Sequence, residues 1–228
     1  MSGIGTSPGG YPPFSPAAPN ILNDTQYLRD TLNASSNVWK VCAWHKNQRA
    51  MQTGEKQNEV GWAAYDACRA AGAIIATGHE HAYSRSHLLT HLKDGAIRWQ
   101  TASDSSVDIE IAKGQTIAFV SGLGGKSIRP QTILPTAPYW ASVWSSTQGA
   151  TDPAGYCALI CTVNVDGDPN LMACEMMTVG QGVKDSFRLR ATQSPTSPAT
   201  SDQVAGSSHL GSGALTTWLA LFVLLLLR

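Results

Sequence analysis

Charge is scarce in this chain of 228 residues: Asp, Glu, Lys and Arg make up 14%, and sixteen basic residues are cancelled by sixteen acidic ones. Without net charge or a basic stripe, the footprint of a nucleic-acid-binding protein is missing, and no nucleic-acid partner is expected. Cysteine is sparse too. The five residues Cys42, Cys68, Cys157, Cys161 and Cys174 include no C-x-x-C, which excludes a zinc ribbon. An odd number cannot all pair within one chain, so one or two disulfides or buried free thiols all stay open. Residues 1–20 lack the basic start and the uninterrupted apolar core of a secretory signal. Gly3, Gly5, Gly9, Gly10 and prolines 8, 12, 13, 16 and 19 make them a Gly/Pro-rich lead-in. No apolar run reaches the ~20 residues of a spanning helix.

What is present suits one globular domain with appendages: hydrophobic residues are 43% of the chain, ordinary for a single core. The domain is placed at 21–190, followed by a Ser/Thr/Pro-rich linker at 191–213 and a hydrophobic tail at 214–228. Small residues around Gly206 and Ser207, a short polar spacer and the terminal apolar run match a glycolipid-anchor signal, with a membrane tail as the other reading. Two sequons, at Asn23 and Asn33, are candidate glycosylation sites and fit a secretory route to the cell surface or membrane.

Within the domain, Thr25 to Leu32 has helical spacing, with Leu28 and Leu32 on one face. Val38 to Trp44 has the β-branched and aromatic content of a strand and ends at His45. Glu59 to Ala71 predicts a helix, stopped by Gly72 where a helix end expects glycine. The apolar run 73–77 predicts a buried strand that delivers Gly78-His79-Glu80-His81. Strand, helix and strand in this order make a βαβ unit, hence parallel strands. His45, His79 and His81 then sit at carboxyl ends of parallel strands, where open α/β sheets bind ligands. Neutral imidazoles brought together there are ligands for zinc or a transition metal. Later segments predict further strands at 96–101, 108–111, 116–120, 157–163 and 171–176, with a turn at Asp166-Gly167-Asp168 and a proline-bounded insertion at 131–154 in which Trp140 and Trp144 are expected to form a small satellite core, with substrate contact as the other reading.

The helix Q-Y-L-R-D-T-L at 26–32, the strand W-K-V-C-A-W-H at 39–45 and G-H-E-H-A-Y-S-R at 78–85 resemble, in order and spacing, the second half of a calcineurin-like metallophosphoesterase of the purple-acid-phosphatase-like branch. Phe119 to Gly125 is similar to that family's glycine turn, and Gly182 to Phe187 to its closing strand. The resemblance implies an α/β fold, a partial four-layer sandwich of a parallel βαβ unit and a mostly β C-terminal sheet, with a disordered C-terminal tail. It also implies hydrolysis of a phosphate-ester substrate by a hydroxide held on two metals, iron, zinc or manganese. His45 and His79 would bind one metal and His81 the other. Glu80 would support the ligands, and Tyr83 and Arg85 would line the substrate side. No residue is assigned as a general acid or base.

The family's Asp-x-His, Gly-Asp-x-x-Asp and Asn-His segments do not occur in the sequence. The expectation is therefore the C-terminal half of such an enzyme, holding at most one metal and exposing an unpaired strand edge. The alternative is a non-catalytic half-domain that is anchored at a surface or binds a partner. A nucleotide P-loop at Val120 to Ser127 is set aside, because Val120 occupies the first glycine position and Arg129-Pro130 discourages the helix that follows such loops.

Overall fold

A computed structural model describes residues 19–93, 95–101, 108–131, 136–192 and 221–223. Gly206, Ser207, most of the lead-in, the linker beyond residue 192 and the tail apart from 221–223 lie outside the described residues. Among the described residues no helix is long and apolar enough to cross a membrane.

The chain opens with α1 (Pro19–Ala34), which starts earlier than expected, and continues with β1 (Val41–Ala43), α2 (Trp62–Ala70) and β2 (Ile74–Thr77). Next come β3 (Tyr83–Ser86), β4 (Leu88–Lys93), β5 (Ala96–Gln100), β6 (Ile109–Ile111), β7 (Ala118–Ser121) and β8 (Trp140–Trp144). The last strands are β9 (Cys157–Val165), β10 (Asp168–Thr178), β11 (Val183–Ala191) and β12 (Leu221–Val223). Two five-stranded sheets result, ordered β1-β2-β7-β3-β8 and β12-β9-β10-β11-β6, beside a separate β4-β5 hairpin. This is the expected mixed α/β class: β1, β2 and β7 run parallel, while β9, β10 and β11 form an antiparallel meander.

Strand alternation builds the layers. On β2, Ile74 and Ala76 join the core between the two sheets, with Phe119, Leu159, Met176 and Phe187, while Ile75 joins Tyr65, Cys68 and Leu92 on the side of the helices and hairpin. Both faces of β2 are buried, which is why the run is apolar throughout. The α2 helix contributes Ala64, Tyr65, Ala67 and Cys68, the positions one helical stripe brings together. It ends as the sequence implies. Gly72 takes φ +72°, and the amides of Gly72 and Ala73 bond back to the carbonyls of Arg69 and Cys68, each at 2.9 Å.

Several expectations are corrected. The strand at 38–44 shortens to Val41–Ala43, and the helix expected from Glu59 begins at Trp62, leaving Glu59 in a loop beside the histidines. Strand 96–101 pairs with β4 outside both sheets, and strand 116–120 belongs to the first sheet, so neither joins the C-terminal one. Trp140 and Trp144 form no satellite core. They lie on β8, at the edge of the first sheet, where a register shift against Arg85 and Ser86 inserts an extra residue. That bulge lets two residues four apart face opposite layers, Trp144 toward the second sheet and Trp140 toward the helices. The cysteines resolve into Cys42–Cys68, joining β1 to α2, and Cys161–Cys174, joining β9 to β10, with Cys157 free and buried. As expected, β1 is an edge strand.

Candidate functional site

The adjacent parallel strands β1, β2 and β7 all end at one cavity of about 510 Å³. The end of β1 brings His45, the end of β2 brings Gly78, His79 and His81, and the end of β7 brings Gly122, Gly124, Gly125, Lys126 and Ser127. Lys56 and Arg129 complete the lining from flanking loops. The three loops are stitched together from below. The Gly78 amide bonds to the His45 carbonyl at 3.2 Å, and the Gly122 amide to the Ala82 carbonyl at 3.0 Å. Asn47 donates to Thr77 Oγ1 at 2.6 Å, and that hydroxyl donates to the Phe119 carbonyl at 3.2 Å. Gly122 is required by this closeness: a Cβ there would stand 1.8 Å from the Glu80 carbonyl oxygen.

His45 Nε2 and His79 Nδ1 are 2.9 Å apart. On its other side, His79 Nε2 lies 3.0 Å from Glu59 Oε2, an ion-pair distance at an angle that falls short of a hydrogen bond. Glu59 Oε1 meets Lys46 Nζ at 2.8 Å. Burial, opposed by the Glu59 carboxylate and assisted by the nearby cations, brings the His79 pKa down to about 4, so the ring is neutral at physiological pH. His81 Nδ1 lies 2.8 Å from the Ser127 carbonyl, which only accepts, so Nδ1 carries the proton and Nε2 keeps a lone pair. Burial first, then Arg129, lowers the His81 pKa as well.

The structure thus brings His45, His79 and His81 together and separates them from the other named residues. Glu80 is only 2% exposed and turns beneath the loop, where Oε1 accepts from the His81 amide at 3.0 Å and from Gln131 Nε2 at 3.2 Å. Tyr83 and Arg85 are not among the residues that line this cavity. They face the second sheet, where Asp185 Oδ2 accepts from the Tyr83 hydroxyl and from Arg85 Nε, both at 2.6 Å, and Oδ1 accepts from Arg85 at 2.9 Å. Alternation explains this: Tyr83 and Arg85 share the face of β3 that covers the inter-sheet core. Asn33 is exposed near the end of α1 and is not among the residues lining the cavity. Lys56 and Arg129 sit in loops without periodicity, so nothing in the sequence singles them out, and Lys126 stands out there only as part of the Val120–Ser127 loop.

Three imidazoles fall short of the two-metal centre the resemblance implies. Among the described residues no carboxylate lines the cavity, and no group of three or more His, Cys, Asp or Glu side chains is placed to hold an ion. The His45 and His79 nitrogens converge as two donors would, one fewer than the three protein ligands usual for catalytic zinc. What the cavity does supply is cationic and hydrogen-bonding capacity. Lys56, Lys126 and Arg129 surround it, and no hydrogen bond among the described residues takes up the amides of Gly124, Gly125, Lys126 and Ser127.

No family model matches the chain, and no curated protein does. Among solved structures it is similar to a purple acid phosphatase isolated from yellow lupin (Lupinus luteus) seeds, with a TM-score of 0.49 and 16% identity over 77% of this chain and 31% of that one. The chain therefore spans less than a third of that structure's length. At this level of likeness nothing about activity passes from one to the other.

Proposed function

We propose that this cavity binds the phosphoryl group of a phosphate ester, as the imidazole-bearing part of a phosphoesterase-type site. The observation that carries the reading is the convergence of three strand ends on a cavity with three imidazoles, Lys56, Lys126, Arg129 and a glycine-rich turn, and with no acidic side chain among the described residues of its lining. A phosphate dianion gains charge-assisted hydrogen bonds from the cations. Successive backbone amides in a glycine turn make a concavity for the same anion.

Hydrolysis by a metal-activated hydroxide does not follow from these residues, since iron, zinc or manganese would lack the carboxylates that hold and bridge a pair of ions. The second reading, binding without turnover, needs only the cations and the glycine turn.

Calorimetric titration with inorganic phosphate tests the proposal. Saturable one-to-one binding is expected, weakened at least tenfold in the Lys126→Ala, Arg129→Ala double variant and strongly reduced by salt. No saturable binding, or binding indifferent to the double variant, contradicts it. Release of p-nitrophenol from its phosphate ester that needs added metal and disappears in His45→Ala and His81→Ala would instead establish a hydrolase.

A further inference from the structure

A second cavity, of about 340 Å³, opens beside the first, and the two share the residues Gly124 and Gly125. Its lining differs in kind. Leu123, Tyr156, Ala158, Met177 and Val179 form most of it, with no charged side chain among the lining residues. The walls are fixed to one another, because the Cys157 amide bonds to the Leu123 carbonyl at 2.9 Å and the Val179 amide to the Tyr156 carbonyl at 2.8 Å. The groove is thus held open by backbone bonds from three separate segments and does not depend on a ligand to assemble it.

Its rim is apolar where a surface is usually polar. Met177 is 45% exposed and Val179 74%, and Val183, paired with Met177 across β10 and β11, is 48% exposed. Apolar residues clustered at the surface mark binding sites far more often than residues scattered singly. The boundary with the cationic cavity is made of glycine alone. Gly125 has φ +119°, and a Cβ there would meet nothing within 4 Å, so no side chain of the shared residues stands between the cavities. Each cavity falls within the roughly 300–1,000 Å³ range of small-molecule sites.

From this adjacency we infer the substrate class: a phosphate ester whose alcohol portion is apolar and ring-sized, the phosphoryl group lying among Lys56, Lys126 and Arg129 and the apolar portion crossing Gly124-Gly125 onto Leu123, Tyr156, Met177 and Val179. The inference rests on phosphoryl binding in the first cavity and specifies what is attached to it. A small polar alcohol would leave the groove wet, whereas an aromatic or branched alkyl group covers it and gains by leaving water.

The experiment titrates the full chain with methyl phosphate and with 1-naphthyl phosphate, in the wild type and in the Met177→Gln, Val179→Asn variant. Both substitutions are at exposed positions and add no charge, and retention of the thermal transition confirms folding. The expected result is 1-naphthyl phosphate binding at least tenfold more tightly than methyl phosphate, with that advantage lost in the variant, methyl phosphate affinity unchanged within twofold, and ring-current shifts on the Met177 methyl group in the wild type. Equal affinity for the two esters, or a naphthyl advantage that survives the variant, overturns the inference while phosphoryl binding stands. If neither methyl phosphate nor 1-naphthyl phosphate binds, phosphoryl recognition itself fails, and this inference falls with it.

Discussion

Removing Asp185 should unfold the junction between the two sheets more than any exposed substitution. Its carboxylate takes two hydrogen bonds from Arg85 and one from the Tyr83 hydroxyl, across about 100 residues of sequence, and both charged side chains are more than nine-tenths covered. The Arg85 guanidinium also lies 4.4 Å from the centre of the Phe187 ring. Burial works against the charge on Arg85, but the hydrogen bonds and charge of Asp185 outweigh it and hold the guanidinium pKa above its ordinary value. The Asp185→Ala variant leaves that cation buried without its anion and the Tyr83 hydroxyl without its acceptor. Breaking such a pair costs about 3–5 kcal/mol. Replacing the whole cluster with Tyr83→Phe, Arg85→Met and Asp185→Leu removes every group that needs a partner, and its cost should be within about 1 kcal/mol of wild type. Urea unfolding followed by fluorescence reads both variants as midpoint shifts at constant slope. A loss under about 1 kcal/mol for Asp185→Ala, or a triple variant no more stable than that single one, refutes the claim that the cluster is a buried, mutually dependent unit.

Other consequences follow from the same geometry. Gly122→Ala would drive a methyl group into the Glu80 carbonyl at the floor of the cavity, so a loss of at least 1–3 kcal/mol is expected from overpacking, together with altered amide shifts at His79 and His81 in a heteronuclear spectrum. His79 has its folded-state pKa lowered to about 4 from the ordinary 6.5, so the unfolded chain binds the extra proton between these values. The His79 contribution to stability is then complete above pH 6.5 and is lost as pH falls toward 4, which the urea midpoint across this window and its attenuation in His79→Gln would show.

The sequence makes local and periodic features readable. The apolar run before His79, the alanine-rich helix closed by Gly72 and the aromatic strand before His45 each declare their element within a dozen residues, and together they compel parallel strands that place three histidines at one end. The glycine turn after β7 is similarly legible, because its composition leaves few conformations to other residues. Partnerships across distance are not readable. Nothing around Tyr83 or Arg85 announces that Asp185 will meet them, since a strand residue's face is set by register with neighbours that come later in the chain. The bulge that sends Trp140 and Trp144 to opposite layers has no glycine or proline of its own to mark it. Lys56 and Arg129 occupy irregular loops, where spacing carries no information. The strand at 96–101 reads as ordinary strand sequence, while its hairpin partner β4 is not announced, and only packing of β4 against α2 decides that the pair stays apart from both sheets.

The most direct test of phosphoryl binding is a backbone and histidine side-chain chemical-shift titration of the full chain with inorganic phosphate. Saturable shifts concentrated on the amides of Gly122 to Ser127 and on the His81 Nε2 resonance, with the β9-β10 meander unmoved, are the predicted result. Shifts that do not saturate, or that fall away from the ends of β1, β2 and β7, would contradict it.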